Sequence, residues 1–95
     1  MQSIIQNDNF CYICAKYKSH YVKASDTHHC FGAANRNKSE ADGLTVRLCR
    51  SCHNKVHDHC GFYYRELQKI AEQAWLDEYH LTIGDFISRY GKNYL

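Results

Sequence analysis

The side chains with the most chemistry in this chain are its six cysteines and seven histidines. Four cysteines fall into two C-x2-C pairs: Cys11 and Cys14 in "CYIC", and Cys49 and Cys52 in "LCRSC". The x2 spacing lets two thiolates leave one tight turn toward the same ion. Two such pairs complete a tetrahedral S4 site with Zn–S distances of about 2.3 Å. A site closed by four thiolates has no open coordination position, so it contributes folding energy rather than catalysis. Structural Zn²⁺ is therefore the reading for these four, against free thiols or disulfides. Cys30 and Cys60 are left over. They read as small buried hydrophobes. Two alternatives stay open: Cys60 replaces one of the four ligands, or Cys30 and Cys60 form a disulfide.

With the thiolates committed, the histidines remain for chemistry. His53 and His57 are four apart on an expected helix, so their imidazoles project from one face, one turn apart. That spacing suits two ligands of one ion. His28 and His29 are adjacent in "THHC" on an extended segment, so they point opposite ways. One can ligate the ion while the other faces the reactive side. His20 and His80 read as ordinary surface residues, and His59 falls on a different helix face from His53.

Several elements must position these groups. Residues 1 to 10 read as a loose lead-in and "CYIC" as a tight turn. Residues 20 to 31 alternate enough for a strand or hairpin arm. "GAANRNKSEADG" reads as a polar loop with room for one helical turn. In "LTVRLC", residues 44 to 49, Leu44, Val46 and Leu48 alternate with Thr45 and Arg47, which predicts a strand with one buried face. A helix follows from about Arg50 to about His59, with Ser51 as its cap. The clearest helix spans residues 62 to 79, where Tyr63, Leu67, Ile70, Ala71, Ala74 and Trp75 recur at three- and four-residue spacing. A last helix is expected from Ile83 to Tyr90, with Thr82 and Asp85 as a capping box and Gly91 as the stop. The result is a small α+β domain spanning residues 1–95. Its metal-bound core runs over 11–59 and a helical extension over 62–95.

A 95-residue chain lies near the low end of what folds on an apolar core alone, so a staple is expected. The N-terminus lacks a basic stretch followed by a long apolar run, and nothing approaches the roughly 20 apolar residues of a membrane helix. These features predict a cytoplasmic protein in which cysteines bind metal rather than pair. Formal net charge is +2, unevenly spread. Residues 1 to 56 hold eight basic and four acidic side chains; the rest hold four basic and six acidic. The positive charge accompanies the ligand candidates, which suits a polyanionic partner.

In combination, "CYIC … THHCFGAANRNKSEADGLTVRLCRSCHNKVH" resembles the HNH endonucleases, in the variant that brackets a ββα-metal core (His-Me finger) with two C-x2-C pairs. Residues 62–95 look like the tail of short HNH proteins from phages and prophages. The resemblance implies His29 as general base. It also implies His28, His53 and His57 as ligands of a catalytic divalent ion (Mg²⁺, Mn²⁺, Ni²⁺ or Zn²⁺). The family's middle asparagine is missing: Gly43 and Leu44 stand where it is expected, and Asn35 is the nearest substitute. Arg36, Arg47, Arg50 and Lys55 are candidates to contact phosphates. The implied reaction hydrolyses DNA phosphodiester bonds, leaving 5′-phosphate and 3′-hydroxyl ends. The implied partner is DNA, with a homodimer or a larger phage or bacterial complex as the setting. The rivals are a non-catalytic zinc module binding nucleic acid or protein, a nuclease-derived protein without activity, and a thiol redox protein.

Overall fold

The computed structural model describes residues 2–57 and 61–95. The chain runs α1 (Tyr12–Lys18), β1 (Asp26–His29), a 3-10 turn (Ala33–Asn35), α2 (Arg36–Asp42), β2 (Thr45–Leu48), α3 (Arg50–His57), α4 (Phe62–Tyr79) and α5 (Ile83–Tyr90). β1 and β2 pair antiparallel, with Asp26 opposite Leu48, Thr27 opposite Arg47, His28 opposite Val46 and His29 opposite Thr45. Leu44, Val46 and Leu48 are fully buried and Arg47 is exposed, as alternation predicts. Thr45, expected on the open face, is also buried. The N-terminal segment covers it. Ser3 Oγ donates to the Thr45 carbonyl (2.6 Å), Arg47 N–H donates to Gln6 Oε1 (2.8 Å), and Ile4 N–H donates to the Gly43 carbonyl (2.9 Å). The lead-in is thus fastened along β2 rather than loose.

Four further expectations are corrected. "CYIC" is the start of a helix, with Cys11 as N-cap: its sulfur accepts the Cys14 N–H at 3.5 Å. The polar stretch after Gly32 is a 3-10 turn running into a two-turn helix, not a loop. Ser39 accounts for this, since its Oγ accepts from Phe31 N–H (3.1 Å) and donates to the Phe31 carbonyl (2.8 Å), pinning α2 beside the end of β1. The extended segment is shorter than 20–31, the strand itself covering only Asp26–His29, with a bridge between Phe10 and Lys23 upstream. In α3, Cys49 rather than Ser51 precedes the helix, and its carbonyl takes the first helical N–H, from His53. The expected end of that helix at His59 lies outside the described residues.

Gly43 ends α2 in the left-handed region (φ 76°). A Cβ there would come within 2.6 Å of the Gln2 carbonyl oxygen. That close approach leaves no room for a side chain at residue 43, one of the two positions where the asparagine was expected.

α4 and α5 follow the expected bounds, and the Thr82–Asp85 capping box is complete. α4 buries Leu67, Ala71, Glu72 and Trp75. Phe86 and Tyr90 of α5, with Tyr94 just beyond it, close around Phe31, their ring centres 5.5, 5.0 and 4.8 Å from it, and Trp75 of α4 packs on Phe86 at 5.3 Å. Asp42 locks the same junction. It accepts two bonds from Arg89 (2.6 and 2.8 Å), one from Trp75 Nε1 (2.9 Å) and one from Tyr90 Oη (2.7 Å). No helix among the described residues is long and apolar enough to cross a membrane.

Candidate functional site

The α1 N-terminus and the β2–α3 junction bring Cys11, Cys14, Cys49 and Cys52 together, with all four sulfurs within 4.8 Å of one another. The Cys14 and Cys52 sulfurs are 3.7 Å apart. Four sulfurs at 2.3 Å from a central ion form a tetrahedron with edges of about 3.8 Å. The cluster therefore fits a metal ion such as zinc. Cys11, Cys14 and Cys52 are buried and Cys49 is partly so. The Cys52 backbone N–H, above all, holds the Cys49 thiol down to about 7, whereas burial pushes Cys14 and Cys52 up. Metal binding here displaces thiol protons, so affinity falls in acid. Cys30 is a free, fully buried thiol pushed up to about 12 by burial, in keeping with a small core hydrophobe. The alternatives involving Cys60 lie outside the described residues.

Beside this cage, a cleft of about 510 Å³ is lined by His28, His29, Asn35, Arg36, His53 and His57, along with apolar and aromatic walls that include Phe31 and Tyr94. The strand pair and α3 thus bring all four expected histidines to one place. The ring centres of His28 and His53 are 5.6 Å apart, and those of His53 and His57 are 4.6 Å apart. Their nitrogens are not drawn together as the sulfurs are. Among the described residues, only the cysteine group meets the 4.8 Å spacing.

Two acidic residues that the sequence reading passed over organise these rings. Asp26 Oδ2 sits 2.9 Å from His53 Nδ1, while both Asp26 oxygens accept from Arg50 (2.9 and 3.1 Å). Arg50 first, and His53 after it, lower the Asp26 carboxyl to about 2. Asp26 and His28 are two apart on β1 and so share a face, the one signal that could have found it. On the other side, His29 Nε2 lies 2.8 Å from Glu40 Oε1 on α2, and that bond lowers the Glu40 carboxyl. Nothing local in the sequence marks Glu40, because its approach depends on how α2 docks.

The remaining candidates are dispersed. Asn35 lines the cleft, but its Nδ2 donates to the Tyr90 carbonyl (3.0 Å), tying the 3-10 turn to α5. Arg36 is exposed at the cleft. Arg47 is exposed on β2 and Lys55 on α3. Arg50 is engaged with Asp26 although its side chain is 73% exposed. No family model, curated protein or solved structure matches the chain.

Proposed function

We propose that this chain is a metal-dependent HNH endonuclease, a phosphodiester hydrolase that cuts DNA on a ββα-metal core braced by structural zinc. The observation that carries the reading is the gathering of His28, His29, His53 and His57 around one cleft beside a four-sulfur cage. The order β1, β2, α3 is the order that core requires.

The ring-centre spacing of the imidazoles and the brace on His53 support a second ion, although their nitrogens are not gathered as the sulfurs are. Two imidazoles sharing one ion stand with ring centres roughly 4.6–5.3 Å apart, and the observed 4.6 and 5.6 Å lie at and just beyond the ends of that span. His53 is held at Nδ1 by Asp26, which leaves Nε2 as its ligand atom. Metal-binding histidines are typically braced in this way. His28, His53 and His57 would hold the ion. When bound, a divalent ion (Mg²⁺, Mn²⁺, Ni²⁺ or Zn²⁺) supplies positive charge for the crowded phosphorus centre and the departing 3′ oxygen. His29 removes the proton from the attacking water. Arg36 at the cleft positions a phosphate, and the exposed Arg47 and Lys55 add phosphate contacts. Arg50 contributes through Asp26 as well as by its own charge. The products carry 5′-phosphate and 3′-hydroxyl ends. Binding weakens steeply with salt, because it rests on phosphate contacts. The setting is cytoplasmic, in a bacterial host or phage, as a homodimer or within a larger complex.

Incubating purified protein with supercoiled plasmid across these four ions tests the reading, with zinc content measured on the same sample. Cleavage by the wild type and its loss in His29→Ala are expected. Undiminished cleavage by His29→Ala removes His29 from the chemistry. A second reading, a non-catalytic zinc module derived from the same fold and binding nucleic acid or protein, draws on one contrast. The sulfurs close to ligand spacing while the histidine nitrogens do not. DNA binding without cleavage under every ion would favour that module.

A further inference from the structure

We propose that Glu40 is the positioning residue for His29, holding the imidazole with its proton on Nε2 and leaving Nδ1 as the basic atom; its catalytic consequence rests on the nuclease reading above. A carboxylate can only accept. The 2.8 Å contact between Glu40 Oε1 and His29 Nε2 therefore places the donor hydrogen on Nε2. The unprotonated lone pair is then on Nδ1 of a ring that lines the cleft.

The contact is built into the fold rather than left to a mobile surface chain. His29 is the last residue of β1, and its side chain is 13% exposed. Glu40 is on α2, next to Ser39, whose hydroxyl is bonded to both backbone groups of Phe31. Gly43 then ends α2 in a left-handed turn that tolerates no side chain against Gln2. The helix that carries Glu40 is thus fixed at both ends of its approach to β1.

The proton balance is simple. His29 Nδ1 takes one proton from water as the water oxygen bonds to phosphorus and the bond to the 3′ oxygen breaks. The ring becomes an imidazolium with Nε2–H still directed at Glu40, which stays ionised and offsets the new charge. The departing oxygen takes a proton from solvent, and His29 returns its own to solvent.

Two measurements on the zinc-loaded full chain test this. Long-range ¹H–¹⁵N spectra read the His29 tautomer, the signal being identified by its loss in His29→Ala. Wild type is expected with the proton on Nε2, and Glu40→Ala with a mixture. Glu40 is half exposed on a helix, so alanine there is well tolerated by the fold. In plasmid cleavage, Glu40→Ala is expected to lower the rate at saturating DNA by roughly 10- to 100-fold at unchanged KM. A wild-type proton on Nδ1 overturns the proposal. So does a Glu40→Ala variant with unchanged rate and tautomer. Absence of wild-type cleavage overturns the nuclease reading instead, and the tautomer alone then decides what Glu40 does.

Discussion

Asp26 joins two parts of the candidate site, His53 and Arg50, in a way that spacing alone does not reveal. It braces His53 at Nδ1 through Oδ2 and accepts from the Arg50 guanidinium on both oxygens. Cysteine pairs and the His-x3-His motif are legible because their partners lie within one turn. Asp26 and Glu40 become meaningful only once β1 is set against α3 and α2. Asp26→Asn keeps the size but loses the charge, and is expected to weaken metal binding in the cleft by about 10- to 100-fold, read by titration of the zinc-loaded protein with Mn²⁺ or Ni²⁺. The pH dependence of its stabilising effect follows from its carboxyl. That group titrates at about 2 when folded and at about 3.9 when unfolded. A lowered folded value contributes stability that is complete above the unfolded one and disappears as pH falls through the folded one. The melting-temperature gap between wild type and Asp26→Asn should therefore be largest above about pH 4 and narrow as pH falls toward about 2. A gap that does not narrow over that range would mean the Asp26 carboxylate is not the source of the stabilisation.

At the scale of elements, what was legible and what was not divide along one line. α4 and α5 were readable to their ends because each carries its own instructions: an apolar stripe in α4, and a capping box and a terminal glycine in α5. β2 was readable because its buried face alternates. α1 and α2 were not, since neither has a long apolar period. α1 forms because Cys11 serves as its N-cap, and α2 forms because Ser39 docks it on Phe31. The N-terminal strap was missed for a related reason, its bonds being to the backbone of β2 and to Gly43, about forty residues away. Gly43 is where these contacts can be tested. Alanine there meets both a positive φ of 76° and the Gln2 carbonyl oxygen at 2.6 Å. A cost of about 1–3 kcal/mol is expected, which for a domain this size lowers the melting temperature by several degrees. Thermal unfolding of the zinc-loaded variant measures it. Wild-type stability in Gly43→Ala would mean that residues 2–4 do not close over this turn in solution.

For the whole molecule, the division into a metal-bound core and a helical extension has no counterpart in the packing. The sulfur cage ties residue 11 to residue 52, and the Phe31 cluster ties the segment just after His28 and His29 to residue 94. Asp42, at the end of α2, is bonded to Trp75 on α4 and to Arg89 and Tyr90 on α5. Tyr94 forms part of the cleft wall, and Glu72 accepts its N–H at 2.6 Å. Each half therefore lacks something the other supplies. Removing the residues after Gly61 deletes Leu67, Trp75, Phe86 and Tyr90, all buried. Loss of a single buried aromatic of this kind costs about 3–5 kcal/mol, against a total stability of about 5–15 kcal/mol. The truncated chain keeps all four cage cysteines, so it should still bind one zinc ion per chain by metal analysis. It should nonetheless fail to give the dispersed amide spectrum of the full protein, because zinc fixes only the junction of α1, β2 and α3. A dispersed spectrum from the truncated chain, with His28 and His53 shifts matching the full protein, would make residues 62–95 an appendage and return the cleft to residues 11–59 alone.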